Sequence, residues 1–234
     1  APYAPVDISP LREHIINAMP DDTYQINDSM HTIEHSLEAL LPFLQYYNRE
    51  IEIVPILVPY MNYERMHEIA GHLADAIGKY AQQENWEWGE DFTIVISNDA
   101  VHYGDEGWGG KDFAYYGADS TGYKRAISHE YEIINDCIVD NFNARRIVKF
   151  TNYTVDQENY KKYEWTWCGR YSVPFGLFTS LELQKIMNEY LFGTMLDYST
   201  SIADKPIPVD DLGMGVTAPA NIRHWVGYVG IGYK

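Results

Sequence analysis

Ile51-Glu52-Ile53-Val54-Pro55-Ile56-Leu57-Val58 is the stretch on which the fold turns. It is almost continuously aliphatic and rich in β-branched residues, without the polar alternation of a strand that has one wet face. Such a run predicts a strand covered on both sides, as in a parallel sheet. Residues 62–84 follow with Met66, Ile69, Ala70, Leu73, Ile77 and Tyr80 at helical spacing, and Phe92 to Ser97 reads as a second short buried strand. Strand, helix and strand at this separation make a parallel crossover unit. The expectation is therefore an α/β protein, three-layer αβα with a mainly parallel sheet, whose functional residues gather at the carboxyl ends of the strands.

Upstream, Leu11, Ile15, Ile16 and Met19 predict a short amphipathic helix over 10–19, halted by Pro20. From Thr32 the spacing of Ile33, Leu37, Leu40, Leu41 and Leu44 predicts a second helix, with Pro42 breaking or kinking it. Downstream, 104–122 is a glycine-rich stretch carrying Trp108, Tyr115 and Tyr116, an irregular insertion of the kind used for lids and binding loops. Helices are expected over 123–141, 154–164 and 174–191, and strands over 194–202 and 224–233, the last two joined by a loop rich in Pro, Gly and Asp from Ala203 to Ala220. No interior linker divides the chain, so a single domain over 1–234 is expected.

The 234 residues are 46% hydrophobic, 22% charged and 15% aromatic, enough apolar surface to offset the entropy of ordering. Seventeen basic against thirty-four acidic residues leave a formal charge of −17, a field that repels phosphate backbones and argues against nucleic acid as a partner. Two cysteines, Cys137 and Cys168, are too few for a disulfide framework. No apolar run is long enough for a membrane span. The opening Ala1-Pro2-Tyr3 lacks the basic and apolar regions of a targeting segment, which leaves the cytoplasm, or export after removal of such a segment.

Most of the histidines have an ordinary explanation. His14, His67, His72 and His129 fall inside predicted helices and suit packing or surface roles, and His31 with His35 makes only a weak chelating pair. Three polar clusters stand where an α/β fold places its site. Glu34-His35 opens a helix, where unsatisfied N–H groups favour anions. Asn98-Asp99-Ala100-Val101-His102-Tyr103-Gly104 leaves the strand predicted at 92–97, which sets Asp99 and His102 at its carboxyl end. Trp167-Cys168-Gly169-Arg170 precedes a helix, where the dipole and the neighbouring Arg would favour a thiolate. A convergence of these clusters would suit Fe(II), Cu or Zn, with Cys168 as metal ligand. The same residue types would equally serve a Cys–His hydrolase with Cys168 as nucleophile, His102 as base and Asp99 as its orienter. A third alternative is a noncatalytic binding module that takes a small molecule or peptide through the 104–117 aromatic loop.

Four motifs in order, Glu34 to Gln45, Pro55-Ile56-Leu57-Val58, Asp99 to Gly104 and Cys168-Gly169-Arg170, resemble the Memo family, also called the AmmeMemoRadiSam system protein B family. Tyr198-Ser199-Thr200-Ser201 and Val226-Gly227-Tyr228 are similar to its closing strands. The resemblance implies a fold related to class III extradiol dioxygenases and a metal-binding redox protein. Cys168 would match a metal-ligand cysteine, with Asp99, His102, Glu34 and His35 lining the same cleft. It also implies one transition metal, Fe, Cu or Zn, in the complete protein. Ring cleavage is not implied, because the cysteine makes this branch chemically distinct. The family's Pro-His-Ala-Gly-Tyr-like and Pro-Ser-His-His-like motifs, which supply two metal-ligand histidines, have no counterpart in this sequence. Relative to the family the domain is N-terminally incomplete: either it is one piece of a longer or cleaved protein, with a companion N-terminal fragment and an exposed sheet edge, or it comes from a lineage that lost the metal site and rearranged its sheet.

Overall fold

A computed structural model describes residues 3–141, 143–205, 209–213 and 218–234, so part of the loop expected between Ala203 and Ala220 lies outside the described residues. Contacts divide the chain into two units. One comprises Ala1–Asn98 and Tyr171–Tyr190, the other Asp99–Arg170 and Leu191–Lys234.

The first unit is built on two long helices. Asn62 accepts a hydrogen bond from the Arg65 N–H and starts α4 (Tyr63–Glu84), which ends at Asn85 in the left-handed region. Its Met66, Ile69, Ala70, Leu73, Ala74, Ile77 and Ala81 form one buried stripe. Against it packs α7 (Ser172–Met187), apolar nearly all round and buried from Val173 to Leu181 and at Leu183, as expected of a core helix. Gly78 lets α7 come close, since a Cβ there would lie 2.6 Å from Ile186 Cγ2. The helix α1 (Leu11–Ala18) adds Leu11 and Ile15 to α4, and the edge of His14 meets the Tyr80 ring at 5.2 Å.

The strand expected over 51–58 is far shorter than its aliphatic content implies. Of residues 51–58, only β2 (Glu52–Ile53) forms a ladder, parallel to β1 (Asp7–Ile8) in the register Asp7↔Glu52 and Ile8↔Ile53. Residues 54–58 and 93–98 form neither helix nor strand. Aliphatic content specifies burial, but a strand also needs a neighbour to accept its N–H and C=O groups, and Pro55 removes one donor from the run.

The helix α3 (Ser36–Tyr47) follows α2 (Asp28–His31) and contains Pro42. Its one buried residue is polar, Gln45, whose Nε2 donates to the Ala4 carbonyl at 3.1 Å. Phe43, Tyr46 and Tyr47 are exposed, Tyr47 to 88%. Tyr47→Ser is therefore expected to change stability by less than about 0.5 kcal/mol in urea denaturation. A loss well above that would mean that this face is covered in solution.

The second unit carries an antiparallel sheet in the order β3 (His102–Tyr103), β6 (Trp225–Tyr233), β5 (Phe192–Thr200), β4 (Asp140–Asn141). The β5–β6 ladder runs from Gly193↔Tyr233 to Thr200↔Gly227, with a bulge between Met195 and Asp197. The α/β class thus holds, but the four-stranded sheet is antiparallel, and among the described residues parallel pairing is limited to β1 with β2 and an isolated bridge between Trp88 and Phe92. Asp119 caps α5 (Ser120–Cys137) by accepting from the Thr121 and Gly122 N–H groups, and Asn143 caps α6 (Ala144–Thr154) by accepting from Arg146. The helix expected at 154–164 lies ten residues earlier, as α6. Residues 155–163 instead form a turn in which Asp156 accepts from the N–H groups of Glu158 and Asn159, closed by a bridge between Val155 and Tyr163. Among the described residues no helix is long and apolar enough to cross a membrane.

Candidate functional site

The candidate residues fall in both units. In the first, Glu34 precedes α3 and uses both carboxylate oxygens on its start. Oε1 accepts from the Ser36 N–H and Oε2 from the Ser36 hydroxyl, each at 2.8 Å. Burial alone would raise its pKa, but the donors of Ser36, His35 and Leu37 outweigh it and hold the carboxyl below the usual range. His35 is the exposed N-cap residue and makes no side-chain capping bond.

In the second unit, Asp99 and His102 stand together: His102 Nε2 lies 3.3 Å from Asp99 Oδ2. An antiparallel bridge between Val101 and Trp167, with the His102 N–H donating to the Thr166 carbonyl at 3.0 Å, draws Cys168 alongside this segment. Val101 and Trp167 are buried. Neighbours on a strand point to opposite faces, so His102 and Cys168 leave that buried face, His102 partly covered and Cys168 exposed. Arg170 stacks over the Tyr163 ring and donates to the Lys161 carbonyl at 3.2 Å. Cys168 lies four residues before Ser172, where α7 begins.

The glycine-rich loop packs down over this region through its aromatics. The Trp108 indole lies flat on the His224 imidazole, with centroids 3.9 Å apart and planes at 8°, and is 5.1 Å from the His102 ring. His224 Nδ1 is 2.8 Å from the Glu106 carbonyl. The Arg223 guanidinium forks onto both oxygens of Asp105 at 2.8 and 2.6 Å. At the other end of the loop the Tyr103 hydroxyl donates to the Gly117 carbonyl and accepts from the Tyr116 N–H.

A family model for Memo-like proteins matches residues 2–207. The chain belongs to the Memo family. It is 38% identical to a MEMO1 family protein of Aquifex aeolicus over 107 residues, 44% of this chain and 34% of that protein. It is 32% identical over 84 residues to a MEMO1 family protein of Pyrococcus furiosus, covering 34% of this chain and 26% of the relative. With one from Saccharolobus solfataricus it shares 36% identity over 86 residues, 36% of this chain and 28% of the relative. The matched stretches thus span about a third or less of the length of these curated relatives.

The donor chemistry of this Memo-family chain is partial. Cys168 and the His102–Asp99 pair are of the right types for a soft transition metal, and a carboxylate behind an imidazole is the usual support of a ligating histidine. Yet among the described residues no three His, Cys, Asp or Glu side chains are placed to hold a metal ion. The ordinary histidines behave as their positions suggest. His67 Nε2 meets Glu182 at 2.9 Å and its ring stacks on Phe178, while His129 Nδ1 meets Glu132 at 3.0 Å.

The residue that sequence reasoning missed is Glu130. Its carboxylate is fully buried and accepts from the Trp165 and Trp167 indoles at Oε1 (2.6 and 2.7 Å) and from the Val101 N–H at Oε2 (3.1 Å), with the Tyr198 hydroxyl 3.5 Å away. Burial outweighs these donors and pushes its pKa up to about 7. The signal was available: Glu130 lies in the apolar stripe Ala126, Ile133, Ile134, Cys137 of α5, where an acidic residue has to find buried donors.

Proposed function

We propose that this chain is a metal-binding redox protein of the Memo kind, in which Cys168 is a thiolate ligand and the His102–Asp99 pair handles protons beside it. One observation carries the reading: the Val101–Trp167 bridge draws Cys168 alongside the segment that holds His102 and Asp99. With Asp99 ionised, the proton of a neutral His102 sits on Nε2, which leaves the Nδ1 lone pair to bind a ligand or to take up a proton. Asp99 then fixes the tautomer and orientation of the ring and stabilises the imidazolium whenever Nδ1 is protonated. When bound, the metal would supply one-electron chemistry. As a ligand Cys168 would have to be a thiolate, so occupancy would rise with pH. His35 and Glu34 are the remaining candidates, Glu34 with its carboxylate already engaged on α3. The donor set in hand is short, and we assign the missing ligands to a companion N-terminal segment. The Trp108-bearing loop is where a small-molecule or peptide ligand would meet the site.

The test is intact mass and metal analysis of natively purified protein. The expected result is a companion fragment and about one equivalent of Fe, Cu or Zn, lost in Cys168→Ala, with affinity roughly 10- to 100-fold weaker in Asp99→Asn. Metal retained equally by Cys168→Ala would overturn the assignment. If the protein carries no metal and an alkylating probe labels Cys168 selectively, with loss of a hydrolytic turnover, the reading passes to the Cys–His hydrolase.

A further inference from the structure

The second unit contains a cavity of about 400 Å³ that the site above does not use, within the size range of small-molecule pockets. Its walls are mostly aromatic: Tyr115, Tyr116, Tyr153 and Trp165, with the His129 ring among them and the Glu164 carboxylate and Asn152 amide beside them. The rings form a continuous surface. Trp165 is 4.7 Å from Tyr115, 5.8 Å from Tyr116 and 4.7 Å from His129, which is 5.6 Å from Tyr153. Among the described residues no lysine or arginine lines the cavity.

Two wall groups are polarised towards negative ring faces. The Trp165 indole N–H donates to the Glu130 carboxyl at 2.6 Å, and the Tyr153 hydroxyl points at Glu132 (3.2 Å) and Asp136 (3.1 Å). A ring whose polar hydrogen is held by a carboxyl oxygen keeps more electron density on its face, which is the part of the ring a cation meets. The phenols stay neutral: burial pushes the Tyr115 hydroxyl up to about 12, and burial followed by the carboxylate of Asp136 raises that of Tyr153. The chain's own cations already sit on two of these rings, Arg125 at 4.7 Å from the Tyr116 centroid and Lys149 at 5.6 Å from that of Tyr153.

We propose that this cavity binds a quaternary ammonium group, held by cation–π contact with Tyr115, Tyr116, Tyr153 and Trp165 and balanced in charge by Glu164. The acceptors decide against a primary ammonium. Glu132 is engaged by His129 and Tyr153, and Asp136 by Lys149 and Tyr153, so the lining offers one carboxylate, Glu164, and the Asn152 amide oxygen to an ion that wants three hydrogen bonds. A methylated ammonium donates none and spreads its charge over its methyl groups, so ring faces satisfy it.

The test titrates the intact chain with choline chloride and, in parallel, with 3,3-dimethylbutan-1-ol, its neutral isostere of the same shape, following the Trp165 indole N–H by NMR. Sodium chloride at matched ionic strength is the blank. The expected result is saturable binding of choline, with the isostere at least about tenfold weaker, equivalent to about 1.4 kcal/mol. Tyr115→Leu and Glu164→Gln, with circular dichroism as the check that each still folds, should each weaken choline binding. The proposal fails if choline gives no saturable shift at tens of millimolar. It also fails if the isostere binds equally well, which would make the cavity merely apolar, or if neither variant weakens the binding.

Discussion

Glu130→Gln is expected to destabilise the chain by about 2 kcal/mol and Glu130→Ala by about 4 kcal/mol, measured by urea denaturation at pH 6. Two indoles and a backbone N–H converge on this carboxyl in the core, and all three are donors. Gln replaces one acceptor oxygen with an amide NH₂. If it keeps its oxygen on Trp165 and Trp167, its NH₂ faces the Val101 N–H and leaves that donor unsatisfied. Ala removes both acceptors and leaves a cavity as well. The pH dependence has a definite sign. Unfolded, the carboxyl ionises near 4.5, whereas burial pushes it up to about 7 in the folded chain. Between those values the unfolded chain has released a proton that the folded chain still holds, so this group's contribution to stability falls as pH rises from 4.5 to 7 and is flat above. The cost of Glu130→Gln is therefore larger at pH 5 than at pH 8. Equal costs at the two pH values would show that Glu130 keeps an ordinary pKa in the folded chain.

The helices were legible because their signals are local. In α4 the cap Asn62 and the stripe from Met66 to Ala81 lie within a few turns of one another, and α1, α5, α7, β5 and β6 were anticipated to within a few residues. The helix α6 lies outside the expected bounds although its signals are also local: Asn143 caps it, and its buried face, Ile147, Phe150, Thr151 and Thr154, has the helical period. The strands at 51–58 and 92–97 failed for a non-local reason: an aliphatic run states that it wants burial and cannot state which segment will pair with it. The site divides in the same way. His102 and Asp99 are three residues apart and their pairing could be read from spacing, but nothing local links Val101 to Trp167, and it is that bridge that draws the segment bearing Cys168 alongside theirs. The cluster around Glu130 gathers Val101, Trp165, Trp167 and Tyr198 from distant parts of the chain. Only the acidic residue on an apolar helix face hinted that such partners exist.

Gly104→Ala is expected to cost about 3 kcal/mol or more and to release the Trp108 loop, whereas Gly109→Ala, five residues on, should cost about 1 kcal/mol. Both glycines have positive φ, +123° and +63°, but their surroundings differ. A Cβ on Gly109 meets nothing within 4 Å, so only the left-handed backbone is strained. On Gly104 it would lie 1.9 Å from the Arg223 carbonyl oxygen and 2.9 Å from the His224 nitrogen, backbone atoms that no side-chain rotation can clear. Those atoms belong to the turn that holds the loop. The Arg223 carbonyl accepts from the Glu106 N–H at 3.1 Å, its guanidinium grips Asp105, and His224 stacks on Trp108. Separating the two backbones by an ångström or more breaks these contacts together, removes Trp108 from above His102, and leaves the Asp99–His102 pair more open to water. Denaturation curves of the two variants, with limited proteolysis of residues 104–117 and the His102 ring signals by NMR, check this. Similar losses at both positions would show that backbone strain alone fixes the loop, and that its contact with Arg223 and His224 contributes nothing to holding Trp108 over the site.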